Sequence, residues 1–409
     1  MQRQKRIYFG YNGWKRERRR KIRLILLCGL LIAALCGAFF GVRYLVENGY
    51  FSKPEIALEE EPEPEEEPPA PVKVKGLYIS AHVAGIEDRL SNYIKICDTT
   101  EVNTVVIDVK DDRGQITFDS AIDGASEANS NIIPDIGKTI SLLKSHGIYT
   151  IARVVCFKDP IWSRLNPELA ISNTKGAPWK DNSGVTWLDP YKTESWDYIA
   201  AVAKEAARVG FDEVQLDYVR FPSDGRLREI TYGDAGNEKS KADVINEFLT
   251  YIRASLSEER IKLSADIFGI AVVNKGDLEN IGQDFELLVQ SADCICPMIY
   301  PSHFSNKRQN GIGQEINLVI YEAPDKQPYE VVYNTLLLLK ARLPEYGGHA
   351  VIRPYLQDFT AAYLGAGYYL SYEAEQVREQ IRAVYDAGFE EWILWNASGT
   401  YSEDAFMMM

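Results

Sequence analysis

The sequence predicts a (β/α)8 barrel, a ring of eight parallel strands alternating with helices, and three observations carry that expectation. Between Val72 and Tyr401, eight apolar segments of strand length recur, separated by seven amphipathic segments of helix length. Several of the helical segments stop at glycine just before the next strand, as in His146-Gly147, Val209-Gly210 and Ala387-Gly388, the usual left-handed helix cap. No G-x-G-x-x-G or phosphate-binding loop follows a strand, which disfavours the rival open, doubly wound sheet. The chain has 409 residues and a barrel takes roughly 250 or more as one core, so one large domain with an N-terminal extension is expected.

In chain order, Met1 to Arg23 holds ten Lys or Arg against Glu17 alone and reads as a basic cytoplasmic tail. Residues 24–46 read as a transmembrane helix, because Leu24 to Val42 runs nineteen residues without a charge, long enough to cross a hydrocarbon layer. The basic run KRERRRKIR in front of it places the N-terminus in the cytoplasm and the rest outside. The expected location is therefore the cell membrane, single-pass, with an extracellular barrel. A cleaved signal peptide is the alternative, but its apolar core is normally shorter. Residues 47–72, with EIALEEEPEPEEEPPAP at their centre, read as a disordered Glu/Pro stalk that like-charge repulsion and proline keep extended.

Residues 73–401 hold the barrel. Its strands are expected at Val74 to Ala81, Thr104 to Val109, Tyr149 to Cys156, Glu213 to Val219, Lys262 to Phe268, Asp293 to Tyr300, His349 to Leu356 and Glu391 to Trp395. Helices are expected at Ile86 to Thr99, Ile136 to Ser145, Ser195 to Arg208, Lys239 to Leu256, Asp284 to Gln290, Tyr329 to Arg342 and Glu373 to Asp386. The tail 402–409 stands where an eighth helix would be, so the last helix is reduced.

The formal charge is −14 although the first 23 residues are strongly basic. The acidic remainder argues against nucleic acid, or any polyanion, as the main partner. Cys97, Cys156, Cys294 and Cys296 lie in apolar patterns and read as buried free thiols. The four histidines are scattered without zinc spacing, so neither a His-rich metal site nor a cofactor is expected.

Barrel chemistry sits at the C-terminal strand ends. There the sequence offers Asp108 with Lys110, Asp217 with Arg220, Asp266, Tyr300 with His303, Arg353 with Asp358, and Trp395. Acids, bases and aromatics at one rim suit glycosidic cleavage, in which one carboxyl protonates the leaving oxygen and another attacks or stabilises the anomeric carbon. Asp217 and Asp266 close neighbouring strands, which lie about 4.8 Å apart, compatible with the roughly 5 Å separation of a retaining pair. The other eight residues are expected to bind substrate, with Trp395 and Tyr300 as a stacking floor. Plainer readings stand beside these: an ion pair of Asp217 with Arg220, a structural Asp266, and aromatics that belong to the core.

GLYISAHVAG, VIDVKDDRG, QLDYVRFPSDG, SADIFG, MIYPSHF, IRPYLQDF and LWNASGTY, in that order, resemble the bacterial "putative glycoside hydrolase domain" family over about Lys73 to Tyr401. That family is similar to the α-amylase type of barrel, which implies a nucleophilic Asp at the end of the fourth strand, here Asp217. The amylase type places a Glu acid at the end of the fifth strand, where this chain has Asp266, and a histidine shortly after the nucleophile, which DYVRFPSDG lacks. GFDEVQLDYV is similar to the chitinase strand signature, but Val219 occupies the position of its proton-donating Glu. The expectation is a membrane-tethered glycoside hydrolase acting on an envelope or extracellular polysaccharide. The alternatives are a non-catalytic glycan-binding barrel, or a metal-dependent hydrolase using Asp108, Asp111 and Asp217.

Overall fold

The computed structural model describes residues 11–49, 72–274, 280–343 and 350–408. Most of the expected stalk (50–71), the first ten residues of the basic tail and His349 lie outside them. The chain divides into two compact units, Met1–Ala70 and Pro71–Met409.

The first unit is helix α1 (Tyr11–Glu47). From Ile22 to Val46 its large apolar side chains are exposed, except for a half-buried Leu45, and its most apolar window has a mean hydropathy of 2.6. A helix apolar on every side has nothing to bury against except lipid or another protein. Among the described residues it alone is long and apolar enough to cross a membrane, a test that a signal sequence also passes. The helix starts inside the basic tail rather than at Leu24, because Lys and Arg are good helix formers and nothing in KRERRRKIR breaks the turn.

The second unit is a closed parallel barrel. Its strands are β1 (Lys75–Ile79), β2 (Thr104–Lys110), β3 (Tyr149–Val155), β4 (Glu213–Asp217), β5 (Lys262–Phe268) and β6 (Cys294–Met298), followed by β7 (Val351–Ile352), β8 (Tyr355–Gln357) and β9 (Trp392–Trp395). β1 to β6 pair in sequence, β6 pairs with both β7 and β8, β8 with β9, and β9 with β1. β7 and β8 therefore share one stave, split where Pro354 has no N–H to give the ladder. Seven helices cover the ring: α2 (Glu87–Thr99), α3 (Ile136–Ser145), α4 (Thr193–Val209), α5 (Lys241–Ser255), α6 (Phe285–Ser291), α7 (Pro328–Arg342) and α8 (Ala374–Asp386). After β9 a short 3₁₀ turn, Glu403–Ala405, stands in for the eighth, and the Phe406 ring stacks on Trp392. The glycines at 147, 210 and 388 all have positive φ, as caps of α3, α4 and α8 require.

The main core lies between ring and helices. Inside the ring the filling is partly polar, and β4 shows how it is layered. Its inward residues Glu213, Gln215 and Asp217 alternate with Val214 and Leu216, as a strand's period of two demands. At the bottom, Glu213 Oε1 accepts from Arg353 Nη1 at 2.7 Å. One layer up, Gln215 Oε1 accepts from the Tyr355 hydroxyl at 2.6 Å and its amide reaches Cys296 Sγ at 3.2 Å. At the top, Asp217 meets Arg153. Cys294 and Cys296 share the inner face with sulfurs 3.7 Å apart, and both are free.

Arg353, expected to bind substrate, is thus at the opposite end of the barrel, tied also to Glu391 at 2.8 Å. The stave runs on through Tyr355–Gln357, so Arg353 belongs to the lowest layer instead of the rim. Arg353→Met should strip the cation from two buried carboxylates and cost about 3–5 kcal/mol. The measurement is a fall in denaturant midpoint with turnover per folded molecule unchanged.

Candidate active site

Four of the strand ends converge on a cavity of about 320 Å³ at the C-terminal mouth, lined by Asp217, Asp266, Arg153, Arg220, Tyr300, His303, Trp395 and their neighbours. The two aspartates on adjacent strands therefore face one cavity. Asp217 is 7% exposed and its partner is not Arg220, the ion pair considered from the sequence. Instead Arg153, from the middle of β3, donates to Asp217 Oδ2 through Nε at 3.0 Å and Nη2 at 2.5 Å, and to Asp108 Oδ1 through Nη1 at 2.6 Å. Asp108 also accepts from the Tyr78 hydroxyl at 2.6 Å. Burial alone would lower the Arg153 guanidinium, but the two carboxylates outweigh it and hold it well above its ordinary value. β4 ends two residues before the expected Val219, because Tyr218 turns left-handed (φ 50°) and its N–H bonds Asp217 Oδ1 at 2.5 Å. A non-glycine residue in that region is uncommon and marks a locally constrained site.

Asp266 differs from its neighbour. It is 2% exposed, and its Oδ1 has no hydrogen-bond partner. Burial first, then the negative charge of Asp217, push its carboxyl well above the usual carboxylate range, with Arg153 opposing. One carboxyl of the pair is charge-paired while burial favours the protonated form of the other, the division of labour an acid-assisted bond cleavage needs.

Aromatics form one wall. Trp395 lies 5.9 Å from Tyr300, 6.3 Å from Tyr78 and 5.4 Å from Phe359, centroid to centroid. His303 packs on Tyr300 at 4.9 Å, and burial lowers its imidazole so that it stays neutral near pH 7. Phe268 closes the far side and also lines a second cavity, of about 520 Å³, formed with Pro222, Ser223, Tyr232, Lys241 and Ile281. Phe268 is common to both linings.

Four expected substrate ligands do not line this cavity, and the first of them, Asp108, is held by Arg153 and the Tyr78 hydroxyl. Arg353 is at the bottom. Lys110 is fully buried on the helix side of the wall, where Nζ meets Asp159 at 2.8 Å, Val155 O at 2.7 Å and the Tyr198 ring of α4 at 5.7 Å. A register shift between Asp108 and Lys110 breaks the strand alternation that would have put both on the inner face. Gly114 permits this arrangement, since a Cβ there would lie 2.4 Å from Asp159 Oδ1. Asp358 is at the rim, but its oxygens accept from the Ser402 N–H and hydroxyl, both at 2.8 Å, anchoring the C-terminal tail. Nor do Asp108, Asp111 and Asp217 come together, because Asp111 Oδ1 is used by the N–H groups of Arg113 and Gln115 in its own loop. No metal-binding cluster of acids, His and Cys occurs among the described residues.

Sequence reasoning missed Arg153, Tyr78, Phe268 and Tyr355. The signal for Arg153 was present: an arginine in an otherwise apolar strand, two residues from Ile151 on the inward face.

Among solved structures, a hypothetical protein from Ruminiclostridium thermocellum is 39% identical over 46% of this chain and 96% of its own, with a TM-score of 0.44. The PgaB (BpsB) glycoside hydrolase domain from Bordetella bronchiseptica is 13% identical, with 80% of this chain and 95% of its own covered at a TM-score of 0.57. α-L-Fucosidase isoenzyme 2 from Paenibacillus thiaminolyticus is 12% identical over 82% of this chain and 48% of its own, at 0.52. The last two support the barrel fold alone. No curated protein matches the sequence. Residues 76–401 match the family model described as "Putative glycosyl hydrolase domain", and the chain belongs to that family.

Proposed function

We propose that the protein is a membrane-tethered glycoside hydrolase that cleaves an envelope or extracellular polysaccharide at the mouth of the barrel. The observation that carries this reading is the unequal pair in one cavity, Asp217 charge-paired by Arg153 and Asp266 buried with no hydrogen-bond partner on Oδ1, its carboxyl pushed upward by burial. Asp266 donates its proton to the leaving glycosidic oxygen, and Asp217 attacks or stabilises the anomeric carbon. Trp395 and Tyr300 offer ring faces to a pyranose, and the second cavity, which Phe268 also lines, gives room for a further sugar. Family membership supports the same chemistry.

The experiment is turnover of wall and storage polysaccharides by the full-length chain in detergent, with the product anomer followed by NMR. Retention of configuration is expected, and inversion would remove Asp217 as nucleophile. A second reading, a non-catalytic glycan-binding barrel, takes support from the grip of Arg153 on Asp217. It predicts saturable binding without product on every glycan tested.

The basic run ahead of the apolar stretch Leu24 to Val42 of α1 supports an N-terminus in the cytoplasm and a barrel outside. Protease added to intact cells should release a fragment containing the barrel. A barrel protected from that protease would reverse the orientation, and a mature chain starting beyond residue 46 would replace the anchor with a signal peptide.

A further inference from the structure

Arg220 lines the same cavity, is 7% exposed, and has no carboxylate within ion-pair distance among the described residues. Its Nη1 donates to Phe221 O at 3.0 Å and Ser223 Oγ at 3.3 Å, while Nε and Nη2 have no acceptor there. The guanidinium is fixed by aromatic rings, with its carbon 4.4 Å from the Phe268 centroid and 5.1 Å from both Trp187 and Tyr218. Nε and Nη2 form the planar fork that matches a carboxylate.

The other charges in the cavity are accounted for. Arg153 is shared by Asp108 and Asp217, and burial disfavours the charged forms of both Asp266 and His303. Arg220 is left as a buried cation with no carboxylate in contact, since Asp217, Asp224 and Asp181 act on it only from beyond ion-pair distance, an arrangement that is costly until a partner arrives.

We propose that the sugar taken into this cavity carries a carboxylate, which the Nε and Nη2 edge of Arg220 binds. The inference rests on the glycan reading of the site and names the substrate class. The net charge of −14 sets a further condition. A densely anionic polymer is repelled at long range, so the acidic sugar is expected to stand among neutral ones.

Calorimetric binding to the full-length chain in detergent tests this without requiring turnover. One probe pair is a glucuronate/N-acetylglucosamine tetrasaccharide and its carboxyl-reduced form. The other is N-acetylglucosaminyl-N-acetylmuramic acid and chitobiose, so that a uronic and a lactyl carboxylate are distinguished. At least one acidic member should bind about tenfold or more tighter than its neutral counterpart. Arg220→Gln should abolish that preference, and Arg220→Lys, which keeps the charge but not the fork, should retain part of it. Equal or tighter binding of both neutral members, no binding of either acidic one, or a preference that survives Arg220→Gln would overturn the proposal. An acid preference without turnover would count against the hydrolase reading and leave this one standing, whereas turnover of neutral glycans without acid preference would do the reverse.

Discussion

Asp266→Asn is expected to lower glycan turnover by about 10²- to 10⁴-fold, the usual contribution of a positioned general acid. Substrates whose leaving group is already acidic, such as nitrophenyl glycosides, should lose much less, because they need no proton to depart. Asp217→Asn should depress both kinds of substrate alike. That split separates a proton donor from a nucleophile, and full activity of Asp266→Asn on natural glycans would end the assignment. The pH dependence follows from the same burial. Asp266 is active when protonated, and its carboxyl is held well above the usual range. The alkaline limb of kcat/KM should therefore lie above ordinary carboxylate titration, and Asp217→Asn should move Asp266 titration to lower pH by removing the neighbouring charge.

Stability carries the same sign. A raised folded-state value means the protonated Asp266 contributes fully at low pH, and that contribution is lost as pH rises towards the folded value. In that window each pH unit costs up to about 1.4 kcal/mol. Asp266→Asn should equal the wild type in acid and exceed it in thermal stability as pH rises. Parallel stability profiles for the two proteins would show that the carboxyl is not strained by burial.

Arg153→Met is expected to be the most damaging single change at the rim, costing about 3–5 kcal/mol of stability. The guanidinium is the shared partner of Asp108 and Asp217, with side chains 8% and 10% exposed. Without it two carboxylates face each other across β3 with only the Tyr78 hydroxyl and the Tyr218 N–H left to them. Asp108→Asn in the Arg153→Met background should recover part of the loss, since one of the stranded charges is then gone. If the double variant is no more stable than Arg153→Met, the cost lies in lost packing against the Tyr78 ring, 5.8 Å away. Turnover should also fall, because Asp217 loses the two donors that orient it.

The strands and helices were legible because their signals are local. Period-two runs, glycine caps and the absence of a phosphate loop concern residues within a few positions of each other, and the observed elements depart from expectation by only a few residues at their ends. Asp217 and Asp266 were legible for the same reason, as acids closing neighbouring strands. Lys110 and Arg353 were misplaced because each depended on something non-local. A single register shift turned Lys110 through the wall, and a stave broken at Pro354 and extended to Gln357 left Arg353 at the bottom.

The sequence by itself determined the architecture, an apolar N-terminal helix followed by a parallel barrel, and named the two acids at its mouth. Hydrophobic period and backbone chemistry act over short stretches, and both can be read without knowing what lies across the ring. Only the tertiary structure decided which charge meets which: that Arg153 takes Asp217 and Asp108, that Asp266 is buried with no partner on Oδ1, and that Arg220 meets no carboxylate among the described residues. Those pairings join residues as many as 64 positions apart, and desolvation depends on what closes over a group from every side, so neither is written in any one segment of the chain.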